Sequence, residues 1–375
     1  MRRTNRLVLA LAASGVLAFG AAACGDDEET GGGSGGGTAS ASSDGGGELS
    51  GEIAGAGASS QEAAMQAWVT GFQDANPDVT VSYDPVGSGG GREQFVAGGT
   101  AFAGSDSALE DDELAGAQER CGGPDNLIEM PVYISPIAVI YNLEGVDNLQ
   151  LSPETTAKIF AQKITNWNDP AIAADNPDAQ LPDQRITVVN RSDESGTTEN
   201  FADWLSQAAK RDWTYEVSGN WPVKGGEAAE GTSGVVQAVG AGAGAIGYAD
   251  FSQAGELGVA KIKVGEEFVA PSPEAAAAVV DESKESKDKG RYVFTFDVNR
   301  TTTAAGTYPV ILVSYQIACT QYDDANQGQV VKGLMEYIVS PEGQDAAAQA
   351  AGSAPISGQL RSQLEPAVAA IGGGA

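Results

Sequence analysis

Ile186-Thr-Val-Val-Asn-Arg-Ser-Asp-Glu-Ser-Gly-Thr197 sets how the rest of the chain is read. An apolar strand over 186–189 runs into Arg191, Asp193, Ser195, Gly196 and Thr197, and a helix carrying Phe201 and Trp204 follows. Small residues between a strand and a helix leave backbone N–H groups and hydroxyls unpaired at the positive end of the helix dipole, which suits an oxyanion. Arg191 adds a cationic fork. Asp193, two residues on, is placed to hold that guanidinium from behind. The competing reading makes Arg191 and Asp193 an exposed ion pair of little energetic value.

The same device occurs twice earlier. Ile53-Ala-Gly-Ala-Gly-Ala-Ser-Ser60 leads into a helix with Met65, Trp68, Val69 and Phe72 on one face and Pro77 at its end. Ser59 and Glu62 have capping-box spacing, so Ser59 either caps this helix or leaves its N–H groups to a ligand. The strand over 79–83 runs through Val86-Gly-Ser-Gly-Gly-Gly-Arg92 to a helix over 92–97, with Ser88 in the loop. Three consecutive glycines permit close approach to the backbone at a cost in ordering entropy, so this stretch reads as a cradle or as a mobile loop. Three such loops, one with an arginine, describe a site for a small multivalent anion.

Ala101-Phe-Ala-Gly-Ser-Asp106-Ser-Ala-Leu109 sets a carboxylate among small and apolar residues. Beside an anion, Asp106 makes sense when the anion itself carries a proton. Hydrogen phosphate can donate to it, whereas fully ionised sulfate would leave the carboxylate unpaired and repelled. The plainer alternative is that Asp106 caps the helix that begins near the acidic run 110–113.

Composition removes other chemistries. The chain has no histidine, which excludes a Ser-His-Asp triad, a Cys-His dyad and a His-ligated zinc site. Its net charge is −30 over 375 residues, and the segment after residue 23 stands at −33 because residues 1–23 hold three arginines and no acid. Such acidity repels nucleic acid and anionic lipid, so anion affinity has to come from desolvated local donors. A Gly-x-Gly-x-x-Gly string over 242–247 lies after a helical stretch and before a strand, the reverse of a dinucleotide fingerprint, and reads as a tight turn. The charged run 281–289 reads as a solvated surface segment.

The N-terminus points to export. Arg2, Arg3 and Arg6 precede an apolar run over 7–19 that ends in small residues, a secretory signal over 1–23. Cleavage within Ala21-Ala22-Ala23-Cys24 would leave Cys24 first, as at a bacterial lipoprotein processing site, although Ala21 replaces the usual Leu. Residues 24–50 are then a lipidated cysteine and a Gly-rich tether, holding the folded part roughly 25–30 Å from the membrane. Cys121 and Cys319 remain as a disulfide or as two free thiols. Export and the Gly-Gly-Pro setting of Cys121 favour the bridge.

From 51 onward the chain resembles the phosphate-specific solute-binding proteins of bacterial ABC importers, the PstS type of the periplasmic binding protein superfamily. The landmarks are Gly55-Ala-Gly-Ala-Ser59, Gly87-Ser-Gly-Gly90, Phe102-Ala-Gly-Ser-Asp106, Asn166-Trp-Asn-Asp169, Arg191-Ser-Asp-Glu-Ser-Gly-Thr197 and Gly244-Ala-Ile-Gly-Tyr248, in that order. The resemblance implies phosphate contacts from Ser59, Ser60, Ser88, Asp106, Arg191, Ser195, Gly196 and Thr197, with Asp106 as proton acceptor. Ser59-Ser60 stands where the family commonly has Thr-Phe, so Ser60 is expected to offer only its backbone N–H.

The resemblance also implies an α/β, two-lobed periplasmic-binding-protein fold with a ligand cleft and two crossover strands. The apolar segments 132–141 and 308–315 fit those strands. Lobe 1 is then 51–135 plus 308–375, with Cys121 and Cys319 inside it or at its edge, and lobe 2 is 136–307. The implied protein is a monomer, binds inorganic phosphate without a cofactor or metal, and partners the permease subunits of an importer. It touches the membrane only through its anchor, on the outer face. A sulfate or molybdate receptor is opposed by Asp106, and a secreted phosphatase lacks an activated nucleophile. A stalked adhesin leaves the anion loops unexplained.

Overall fold

The computed structural model describes residues 49–286 and 289–372. The signal segment, Cys24 and most of the tether lie outside the described residues. The main sheet is built from β1 (Ser50–Gly57), β2 (Asp78–Asp84), β3 (Phe102–Ser105), β4 (Leu127–Asn142), β5 (Thr187–Arg191), β6 (Glu227–Ala229), β7 (Ala245–Asp250) and β8 (Ile311–Cys319). Their order across the sheet is β2-β1-β3-β8-β4-β7-β5-β6. Two short strands, Gly258–Val259 and Tyr292–Val293, add to β4.

Two parallel groups face each other through one long strand. β1 pairs in parallel with β2 and β3, and β5 pairs in parallel with β6 and β7. β4 joins them: its Leu127–Pro136 part pairs antiparallel with β8, and its Ile137–Asn142 part pairs antiparallel with β7. All but the last residue of β4 is buried, which is why it reads as an unbroken apolar run instead of an alternating one. The second expected crossing lies at 308–311, where Ile137 N donates to the Val310 carbonyl at 2.7 Å and β8 begins. The described residues belong to one compact unit, so the two groups of strands remain in contact.

Helices pack against the sheet, several of them starting just after strand ends. Those that bear on the site and its core are α1 (Glu62–Ala75), α2 (Ser88–Val96), α3 (Asp111–Arg120), α4 (Gly196–Ala208), α5 (Gly231–Ala241), α6 (Ala325–Val339), α7 (Pro341–Ala351) and α8 (Gly358–Ala369). The periodic face of α1 buries Met65, Trp68 and Phe72 in a core shared with Val331, Leu334 and Ile338 of α6. At roughly 1.5–3 kcal/mol for each large apolar side chain, this packing outweighs the weak helix propensity of Gly71 and the β-branched positions. Cys121, just after α3, is bonded to Cys319 at the end of β8. The Gly-rich 242–247 stretch is the turn from α5 into β7, as expected.

Two local expectations need correction. α2 begins at Ser88 and takes in Gly89, Gly90 and Gly91, where propensity suggested a loop before a helix over 92–97. The reason is tertiary: a Cβ on Gly91 would stand 2.3 Å from Gly57 Cα, so only glycine lets α2 lie this close to β1. The charged run is less solvated than its composition implies. Lys284–Ser286 pairs with Thr295–Asp297, and Lys289 Nζ donates to the Leu109 carbonyl at 2.9 Å.

Candidate anion-binding site

The C-terminal ends of the parallel strands from both halves open onto one place, the crevice where open α/β sheets take ligands. β1 ends at Gly57 and a short 3-10 turn, Ser59–Gln61, leads into α1. β2 leads to Ser88 at the start of α2, and β3 ends directly before Asp106. From the other side β5 ends in Arg191 and α4 starts at Gly196, while β6 leads to α5 at Gly231. Four helical N-termini therefore converge.

Their side chains meet at hydrogen-bond distance. Ser60 Oγ donates to the Asp106 carboxylate at 2.6 and 2.8 Å, and Thr197 Oγ1 donates to Asp106 Oδ2 at 2.9 Å. The Asp106 backbone N–H donates to Ser88 Oγ at 3.1 Å. Ser59 Oγ lies 3.0 Å from Thr232 Oγ1 and accepts the Thr232 N–H at 3.0 Å. A Cβ added to Gly196 would lie 2.7 Å from Asp106 Cβ and 2.8 Å from Ser88 Oγ, so the two halves touch here and any larger residue would hold them apart. Ser195 caps α4 by accepting the Thr198 N–H at 3.2 Å, which leaves the N–H groups of Gly196 and Thr197 as the free first-turn donors.

Asp106 is 2% exposed and does not cap a helix, since α3 starts after Glu110. Its carboxylate accepts the hydroxyls of Ser60, Thr197 and Ser314. Ser59 does not cap α1 either: that helix has no side-chain cap, because the 3-10 turn separates Ser59 from it and its hydroxyl is committed to Thr232. The Ser60 hydroxyl, for its part, is turned to the Asp106 carboxylate.

Arg191 is buried and Asp193 largely covered, so the two are not an exposed pair. Arg191 Nε donates to Asp193 Oδ1 at 2.8 Å and Nη2 donates to Oδ2, with the Arg191 side chain 2% and the Asp193 side chain 12% exposed. Burial alone would raise the Asp193 carboxyl, but the Arg191 fork and the Gly231 N–H outweigh it and hold the group below the usual carboxylate range. Arg191 Nη1 reaches Thr232 Oγ1 at 3.5 Å. Behind the guanidinium, burial pushes the Tyr248 hydroxyl up to about 12, so it stays a neutral partner for Thr198 Oγ1 at 2.6 Å.

A rim of ionic contacts surrounds this centre. Arg92 on α2 is held by Glu113, by Ser105 Oγ at 2.9 Å and by Glu194 at 3.1 Å. Ser107 Oγ donates to Glu199 Oε2 at 2.7 Å, and burial raises the Glu199 carboxyl against that bond. Asn200 Nδ2 donates to the Asp106 carbonyl at 2.7 Å. A cavity of about 250 Å³ adjoins Asp106 and is lined in part by Ser107, Glu199, Asn200, Arg300 and Tyr315.

All eight residues expected to face an anion thus gather at one junction, with Asp193 behind Arg191. Sequence reading missed Thr232, Arg92 and Ser314. Thr232 had a signal: the strand, the small-residue run Gly231-Thr-Ser-Gly234 and the helix over 231–241 repeat the device of the other three loops. Ser314 was visible only as a polar residue inside an apolar strand.

Parallel strands ending on converging helix N-termini, linked through shared long strands, define a member of the periplasmic binding protein superfamily, and the model of the PBP superfamily domain matches residues 38–342. Within it, the chain belongs to the family of the phosphate-binding protein PstS. It is 39% identical to phosphate-binding protein PstS 3 of Mycobacterium tuberculosis (strain ATCC 25618 / H37Rv) over 96% of this chain and 98% of that protein. It is 30% identical to phosphate-binding protein PstS of Haemophilus influenzae over 79% of this chain and 86% of that one.

Solved structures carry the same fold. A high-affinity periplasmic phosphate-binding protein, PfluDING, determined with bound phosphate, superposes with a TM-score of 0.68 at 22% identity, covering 84% of this chain and 93% of that one. A phosphate-binding protein from Stenotrophomonas maltophilia does so with a TM-score of 0.68 at 20% identity, covering 84% and 94%. The fold is the two-lobed α/β architecture of these proteins.

Proposed function

We propose that the chain is an extracytoplasmic receptor for inorganic phosphate that captures hydrogen phosphate between two lobes and delivers it to the permease subunits of an ABC importer. The observation that carries the reading is the meeting of Asp106, from one parallel group, with Thr197 and Gly196 at the start of α4, from the other, beside the Arg191 fork. One acceptor among many donors suits an oxyanion that brings one proton of its own. Family membership over nearly the whole chain supports it.

In this reading Ser59, Ser60, Ser88 and Asp106 hold the ligand from lobe 1, formed by 51–135 and 308–375. Arg191, Ser195, Gly196 and Thr197 hold it from lobe 2, formed by 136–307. A ligand that contacts both lobes stabilises their closed arrangement. No bond is made or broken, and energy for transport comes from a separate ATPase. Cys24 carries the lipid that keeps the receptor at the outer face of the membrane.

Equilibrium dialysis of the full chain against radiolabelled phosphate tests this. The reading expects one phosphate retained per chain and displaced by unlabelled phosphate but not by sulfate. Retention of no phosphate would remove the assignment.

A further inference from the structure

Behind Asp106 a line of polar side chains runs into the core, away from any ligand. Gln61, Ser314 and Gln316 are each fully buried in lobe 1. Gln316 Nε2 donates to Gln61 Oε1 at 2.7 Å, Gln61 Nε2 donates to Ser314 Oγ, and Ser314 Oγ reaches Asp106 Oδ1 at 2.6 Å. The inner end of the line, Gln316 Oε1, has no hydrogen-bond partner among the described residues. Buried amides and hydroxyls are costly unless they are paired. A row of three with an orphan acceptor at its far end is therefore not explained by packing.

The row fixes the direction of one proton. A serine hydroxyl has a single O–H to donate. Because Ser314 Oγ already receives the Gln61 amide, its proton goes outward, to Asp106 Oδ1 at 2.6 Å or to the Ser105 carbonyl at 3.2 Å. The shorter contact takes it. The register of β8 against β4 shifts between Ser314 and Tyr315, and Tyr315 pairs with Ser105 on β3, which sets Ser314 opposite Asp106.

We propose that Ser314, oriented by Gln61 and Gln316, is a positioning residue for anion selection: by donating to Asp106 it holds that carboxylate as an acceptor aimed at the ligand, so that the site takes an oxyanion bearing a proton and refuses one without. The proposal rests on the phosphate reading of this site. Without the Ser314 donor, Asp106 is freer to turn its carboxylate away from the ligand, and an unprotonated tetrahedral dianion is then tolerated.

The test is competitive binding of phosphate and sulfate to the full chain and to Ser314→Ala and Ser314→Thr, with thermal melts as a check on folding. Ser314→Ala is expected to lose about tenfold in phosphate affinity and about tenfold in the ratio of phosphate to sulfate affinity, the scale of one buried hydrogen bond to a charged group. Ser314→Thr, which keeps the hydroxyl, is expected to restore the ratio. An equal loss for both anions, or none, overturns the proposal, because a merely structural serine leaves the ratio unchanged. Should Ser314→Ala not fold, Gln61→Met frees the Ser314 hydroxyl to turn to Ser105 and must lower the same ratio; an unchanged ratio there is equally fatal. Failure of the parent chain to bind phosphate would instead overturn the receptor reading.

Discussion

Arg92 Nη2 donates to Glu194 Oε1 at 3.1 Å, tying α2 to the loop after Arg191 that carries Asp193. Burial opposes the Arg92 charge, but Glu194 and Glu113 outweigh it and hold the guanidinium above its usual value. The pair therefore acts as a clasp between the two sides of the site. Glu194 is 30% exposed and Arg92 keeps Glu113 when Glu194 is lost, so the clasp contributes only about 1 kcal/mol. Glu194→Ala should weaken phosphate binding about threefold to tenfold, through faster release at unchanged association. Stopped-flow tryptophan fluorescence reads this directly, and an unchanged release rate would show that the clasp does not hold the closed arrangement.

The fork of Arg191 on Asp193 has a different scale. Arg191 is buried and Asp193 largely so, and removing one partner of such a pair typically costs about 3–5 kcal/mol because the other charge is stranded. Arg191→Lys keeps the charge but cannot present two parallel donors to Asp193. It should lower phosphate affinity about a hundredfold and also lower the melting temperature. Calorimetric titration alongside thermal melts checks both, and retention of near-parent affinity in the lysine variant would mean that the fork is not what positions the cation.

Two carboxyls away from the cleft centre make stability fall as pH rises. Burial pushes Glu129 up to about 7, partly opposed by the Leu109 N–H, and Glu129 Oε2 has no hydrogen-bond partner among the described residues. Burial likewise pushes Asp250 up to about 7 against the donors of Ser252 and Ser135. In the unfolded chain both titrate near 4. Between about pH 4 and pH 7 the folded protein holds protons that the unfolded chain has released, so their contribution is complete below pH 4 and is lost by pH 7. Glu129→Gln, which mimics the protonated form, should raise the melting temperature by a few degrees at pH 8 and by much less at pH 5. A variant melting equally with its parent at both pH values would contradict the burial argument.

Cys121 and Cys319 are 198 residues apart, so their bond constrains a large part of the unfolded chain. A loop of that size corresponds to about 5 kcal/mol in the chain-entropy account. The bond lies between the end of α3 and the end of β8, away from the strand ends that carry the site. The Cys121→Ser/Cys319→Ser chain should therefore melt several degrees lower yet bind phosphate as the parent does at 25 °C. Lost affinity in a still-folded double variant would link the bridge to the site.

How much of this could be read beforehand follows the range of the interactions. The loops at 53–60, 86–92 and 191–197 were legible because an oxyanion cradle reuses small residues where a strand gives way to a helix, a local pattern. β4 and β8 were legible as the two long apolar runs, since a strand buried on both faces loses its alternation. The start of α2 was not, because glycine propensity argues for a loop and only the approach of Gly91 to Gly57 explains the helix. The fate of Ser59 turned on Thr232, which is 173 positions away, and Arg92 met Glu194 across 102. Ser314 joins Asp106 across 208, a pairing that no local pattern announces.

The most direct measurement is a crystal structure of the chain grown with phosphate and without sulfate. A tetrahedral anion should lie within hydrogen-bond reach of Asp106, Ser88 and Arg191 and of the first turn of α4, with its shortest contact, about 2.5–2.7 Å, to an Asp106 oxygen. An anion bound elsewhere, or one touching the residues of a single half only, would contradict capture of hydrogen phosphate between the two lobes.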